Sequence, residues 1–106
     1  MPAKIKKENG IVTVVFSGDI DHHAAKELRV EIDNETETSH PQCLVFDLKE
    51  CEFMDSSGLG LILGRYRKCG ECGCDFKIIN PGKKTMRILH MAGVDNVIKI
   101  ENVSEE

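Results

Sequence analysis

The sequence predicts one α/β domain, a mixed β-sheet with helices packed on it. Apolar, strand-like runs alternate with segments of helical period, which implies parallel strands joined by right-handed crossovers. An Asn-Gly pair between two short strand candidates near the start adds an antiparallel hairpin, because both residues tolerate positive φ. A chain of 106 residues suits a single domain with one modest core.

Residues 4–7 and the β-branched run at 11–16 form the opening hairpin around Glu8-Asn9-Gly10. Residues 17–21 read as a polar turn. A helix follows over about 21–37, burying Ala24 or Ala25, Leu28 and Ile32, with Asp19 or Asp21 able to cap it. Residues 38–41, ending in Pro41, stop it. The stretch 43–48 is nearly continuous in apolar residues, as in a strand buried on both faces. The next helix is expected over about 57–68, stopping near Gly70. Its buried face reads as Leu59, Ile62, Leu63 and Tyr66, which turns Leu61 outward. Residues 75–79 form a further strand, and Pro81 and Gly93 bracket a third helix with Met86, Leu89 and His90 toward one side. A last short strand falls near 97–100, and the tail 102–106 is expected to fray. The order is therefore ββαβαβα, with a final β as an option.

Composition narrows the function. A hydrophobic fraction of 41% and a charged fraction of 30% are those of a globular protein. The net charge of −4 argues against nucleic acid as a partner. No apolar run approaches the roughly 20 residues that cross a bilayer, and no secretory leader pattern opens the chain, so no membrane role and a cytoplasmic location are expected. The five cysteines then read as reduced thiols.

The most informative stretch joins the second strand block to the second helix: Phe53-Met54-Asp55-Ser56-Ser57-Gly58-Leu59-Gly60, continuing to Gly64-Arg65-Tyr66. Each helical glycine costs about 1 kcal/mol relative to Ala, so Gly58, Gly60 and Gly64 together need a reason. Close approach of another molecule is one. Enzyme templates fail here. A nucleophile elbow needs Gly two residues before the Ser, where Met54 and Asp55 stand, and the dinucleotide and P-loop patterns fail at Leu63 and at the missing Gly-Lys-Ser/Thr ending. A serine at a helix start beside an aspartate is ordinarily an N-cap, and it is also a place where a phosphate is tolerated, gaining about 0.3–1 kcal/mol from the helix dipole. Spacing leaves both readings open.

Other clusters are weaker. Cys69, Cys72 and Cys74 resemble half a metal site, and free thiols are the ordinary reading. His22 and His23 at a helix start suggest a surface role, and Lys83, Lys84 and Arg87 suggest a solvated helix face.

The Phe53-to-Tyr66 string resembles the signature of STAS-domain anti-sigma factor antagonists. Gly18-Asp19-Ile20-Asp21-His22-His23-Ala24 is similar to the sporulation branch of that family, which counters the anti-sigma-F factor. The likeness covers nearly all of residues 1–106 and agrees with the element order. It implies a non-enzymatic switch without a cofactor of its own. The unmodified protein binds an anti-sigma factor that is also a serine kinase and so frees the sigma factor. The kinase supplies ATP and phosphorylates the serine after the motif aspartate, here Ser56, and a PP2C-type phosphatase reverses the step. Ser57 would be the first helical residue and a structural cap. Gly58 and Gly60 would clear the approach, and Leu61 would offer an outward apolar contact. The partner-binding surface would join Met54, Asp55 and Leu59 to Gly18, Asp19, Asp21, His22 and His23, with Asp21 facing a basic residue of the partner. Two alternatives stand beside this: a STAS module of a general-stress or multi-protein sensing pathway, and a thiol or metal sensor built on Cys69, Cys72 and Cys74, a segment richer in cysteine than the family pattern.

Overall fold

A computed structural model describes residues 3–103. The chain runs β1 (Ala3–Glu8), β2 (Ile11–Ile20), α1 (His22–Ser39), β3 (Cys43–Met54), α2 (Ser56–Cys72), β4 (Asp75–Ile79), α3 (Lys83–Met91), a 3-10 turn (Val94–Asn96) and β5 (Lys99–Glu101). The strands lie side by side in chain order; β1 and β2 are antiparallel and every later pair is parallel. The final β is present. The hairpin turn has Asn9 at φ 52° and Gly10 at φ 80°, the paired positive angles that match strand twist.

Two strands are longer than the sequence suggested. The segment 17–20 is not a free turn: β2 continues through it, paired to β3, with register shifts between Val15 and Ser17 and between Gly18 and Asp19. Gly18, at φ 69°, sits at that irregularity, where a side chain would be strained. β3 likewise runs past Leu48 to Met54 despite the charged residues Lys49, Glu50 and Glu52, which are exposed. Pairing with the neighbouring strand overrides local polarity.

The core is mainly aliphatic around Phe16 and Phe46, whose rings lie 4.8 Å apart, with Phe76 next at 4.9 Å. α1 buries Ala24, Ala25, Leu28 and Ile32, as its periodicity indicated.

The face assigned to α2 needs correction. Its buried residues are Gly58, Leu61, Ile62, Arg65 and Cys69, whereas Leu63 and Tyr66 are each 38% exposed. Leu61 therefore points inward and is not an outward contact. The period was right and the phase was off by about one residue, because α2 packs on α1 as well as on the sheet. At that seam Arg65 is buried against Asp33 of α1, with Nε 2.9 Å from Oδ1. The N–H points off that line, so the contact is an ion pair more than a hydrogen bond. Lys68 adds a second contact to Asp33 at 3.3 Å. The helix also runs past Gly70 to Cys72 and ends at Gly73, whose φ of 75° suits a C-cap.

α3 begins after Gly82 and buries Thr85 and Leu89; His90 is exposed and pairs with Asp95 at 2.7 Å, so it does not share the buried side. The 3-10 turn displaces the last strand to Lys99–Glu101. Of the tail expected to fray, 104–106 lie outside the described residues, and the Val103 amide donates to Asn80 Oδ1 at 2.6 Å.

The cysteines are all free. Among the described residues, no group of His, Cys, Asp or Glu side chains is placed to hold a metal ion. Burial, reinforced by Cys74, pushes the Cys69 thiol up to about 12. At pH 8, Cys72 is therefore expected to react first with a disulfide reagent, and Cys69 and Cys51 only slowly unless the protein is denatured; a fast phase that survives Cys72→Ser contradicts this. Removing the carboxylate from the seam leaves a buried guanidinium short of its main counter-charge. Asp33→Ala is thus expected to lower unfolding free energy by about 3 kcal/mol in urea titration, and a loss below about 0.5 kcal/mol would show that water or Arg65 rearrangement compensates.

Candidate partner-docking site at the paired helix starts

Parallel pairing of β2 and β3 ends with Ile20 beside Met54, so the chain leaves both strands at the same edge of the sheet and starts α1 and α2 there. Ligand sites in open α/β sheets form at this edge, outside the carboxyl ends of the strands. The two starts are tied together: the Asp55 amide donates to the Ile20 carbonyl at 3.4 Å, and His22 Nδ1 lies 3.2 Å from Ser57 Oγ.

Each helix has an aspartate cap. Asp21 Oδ1 accepts from the Ala24 amide at 2.9 Å. Asp55 Oδ1 accepts from the amides of Ser57 at 2.8 Å and Gly58 at 3.2 Å. This corrects the serine-cap reading: neither serine hydroxyl caps α2. Ser56, not Ser57, is the first helical residue. Its side chain is exposed and has no hydrogen-bond partner among the described residues. Asp55 already occupies the second and third helix amides, so a group added to Ser56 Oγ projects from the surface beside an existing carboxylate.

The glycines divide by role. A Cβ on Gly58 would meet Met54 Cγ at 2.9 Å, Met54 Cβ at 3.1 Å and the Ile20 carbonyl at 3.3 Å. Gly58 and Met54 are buried, so both serve internal packing of α2 on the strand ends, and Gly58 does not clear a path for another molecule. Gly60 is exposed and Gly64 half-buried, and a Cβ on either meets nothing within 4 Å. Among the remaining predicted residues, Asp19, Asp21, His22 and His23 are exposed, and Gly18, Asp55, Ser57 and Leu59 are half-buried. His23 pairs with Glu27 at 3.0 Å.

Gly60 and Gly64 form part of the floor of an open groove between α1 and α2, bordered by His22, Lys26 and Arg29. Lys26 and Arg29 were missed in the sequence. Their i, i+3 spacing on the outer side of α1 was a usable signal, but nothing in the sequence alone brought that side against α2.

The surface open to a partner is thus Ser56, Gly60, the exposed Asp19, Asp21, His22 and His23 where β2 hands over to α1, and the α1–α2 groove. The different glycine surroundings set opposite expectations for thermal unfolding. Gly60→Ala should stabilise the free domain by up to about 1 kcal/mol through helix propensity. Gly58→Ala should destabilise it by about 1–3 kcal/mol through overpacking against Met54. Equal effects would mean that Met54 moves aside freely.

Comparison with known proteins agrees with this architecture. The STAS domain family model matches residues 2–106. The anti-sigma F factor antagonist of Paenibacillus polymyxa is 32% identical over 97 residues, covering 92% of this chain and 83% of that protein. The anti-sigma-B factor antagonist of Bacillus subtilis is 28% identical over 101 residues, covering 95% and 91%. The solved structure of the anti-sigma factor antagonist SpoIIAA in its unphosphorylated form superposes with a TM-score of 0.87 at 23% identity, over 97% of this chain and 89% of that one. The phosphorylated form of the Bacillus protein gives 0.80 at 23%, over 97% and 92%. With its sheet order, its helices and a family match across almost its whole length, the chain belongs to the STAS domain family.

Proposed function

We propose that this chain is a phosphorylation-controlled anti-sigma factor antagonist. Unmodified, it binds an anti-sigma factor that is also a serine kinase, so that the sigma factor is released. Phosphate on Ser56 ends the complex, and a PP2C-type phosphatase restores the binding form in the cytoplasm. ATP enters with the kinase, and the chain needs no cofactor of its own.

The observation that carries this reading is the Ser56 hydroxyl, exposed and unpartnered directly after a capping aspartate. A kinase can reach it without unfolding anything, and the cap survives the modification. The relatives, themselves anti-sigma factor antagonists, support that role here, and SpoIIAA is known in both phosphorylation states. A phosphate adds about −1.5 to −2 charge. Against a partner carboxylate about 4 Å away, each unit of charge at an effective dielectric of 20 is worth about 4 kcal/mol. That is roughly a thousandfold in affinity, enough to switch a complex off.

Sigma-F is favoured as the ultimate target by the Gly18-to-His23 segment and by the Paenibacillus relative. The sigma-B relative keeps a general-stress pathway as the second reading.

Incubation with the cognate anti-sigma kinase and ATP should place one phosphate on Ser56 by mass spectrometry; modification elsewhere sinks the proposal. Ser56→Ala should bind the anti-sigma factor as the unmodified protein does, while Ser56→Asp binds at least tenfold more weakly. Equal affinities would remove the electrostatic account. Retention of an anti-sigma-B but not an anti-sigma-F partner would move the protein to the stress pathway.

A further inference from the structure

The groove between α1 and α2 has a charge pattern that the phosphorylation switch does not require. It is open to solvent, with a volume of about 560 Å³, starts at His22 and Ser57, and runs back over Gly60 and Gly64. Its walls include Lys26, Arg29 and Arg65 and no carboxylate, in a chain with 18 acidic residues and a net charge of −4. Lys26 and Arg29 are exposed and make no ion pair among the described residues. Lys7, Lys68 and Lys77 by contrast face carboxylates, Glu35 for the first, Asp33 and Glu37 for the second and Glu101 for the third.

Arg65 supplies an independent sign. Its side chain is only 8% exposed and its Nε faces Asp33, yet its terminal nitrogens have no acceptor among the described residues. A guanidinium has five N–H donors; the one buried without a hydrogen bond is that of Nε, and the terminal nitrogens are left to solvent or to an acceptor from outside the domain. Burial and the nearby Arg29 both weigh against its charged form, and Asp33 offsets them only in part. An anion in the groove would relieve this. The bare glycine floor, with nothing near either Cβ position, leaves room for a main chain to lie against the helix.

We infer that the α1–α2 groove holds an acidic segment of the partner, with Asp or Glu side chains meeting Lys26, Arg29 and the terminal nitrogens of Arg65. This rests on the reading of the chain as an anti-sigma factor antagonist, and it adds a contact chosen by charge to the one controlled at Ser56. The occupant is a peptide segment: the groove is continuous with the Ser57 end of the docking face, and its charge complements acidic side chains.

Two measurements test it separately. In the first, the isolated isotope-labelled chain is titrated with a hexaglutamate peptide. The amide signals of Ser57, Gly60 and Gly64 should move, and they should not move in the Lys26→Glu, Arg29→Glu double variant, whose exposed substitutions keep the spectrum dispersed. No movement, or the same movement in the variant, overturns the inference. So does inorganic phosphate moving these signals at lower concentration than the peptide. In the second, the double variant should bind the anti-sigma factor about tenfold more weakly than wild type, the loss expected of two exposed ion pairs. It should also show a shallower dependence on salt. Equal binding overturns the inference. If wild type itself fails to bind any anti-sigma factor while the peptide titration succeeds, the proposed function falls and the anionic preference of the groove stands.

Discussion

The parallel pairing of β2 with β3, carried to Ile20 and Met54, is the constraint on which the rest depends. It brings two helix starts to one edge of the sheet, each capped by its own aspartate. The bulge at Gly18 adjusts the register so that the ends coincide, and the Asp55-to-Ile20 contact holds them together. Residues of the candidate site that lie 35 positions apart, such as His22 and Ser57, become neighbours only because of this pairing.

The seam between α1 and α2 depends on the same arrangement. Two helices launched side by side must pack along their length, and the sequence places a buried Arg65 where an apolar residue would be simpler. A paired ion at such a seam is weak evidence for stability, since burial costs about as much as the attraction returns. Its clearer consequence is directional. Asp33 engages the Nε side of the guanidinium and leaves its terminal nitrogens without an acceptor among the described residues, in a side chain that also lines the groove.

Much of this was legible in the residues. The strand and helix order followed from the β-branched run before Ser17, the apolar run before Lys49 and the Asn-Gly turn. An aspartate cap for α1, Asp19 or Asp21, was legible because a clear amphipathic pattern follows, and the structure selects Asp21. The face of α2 was not legible, because Leu59, Leu61, Ile62 and Leu63 satisfy a helical period in more than one phase, and Arg65 disguised the buried one. The roles of the glycines were hidden for a related reason: Gly58 and Gly60 look alike in sequence, and only the position of Met54 separates a packing requirement from open surface. Ser56 became a phosphoacceptor candidate through family resemblance. Local geometry adds that its hydroxyl has no structural task.

That division of labour between Asp55 and Ser56 has a further consequence. Because the aspartate alone closes the helix end, the serine can gain or lose a charged group while the backbone beneath it keeps its hydrogen bonds. Under the proposed switch, such a domain would store one bit as surface charge, with both values written on nearly the same shape. Resetting it would then require no refolding, and the tempo of the proposed switch would belong to the enzymes that write and erase the mark, not to the domain that carries it.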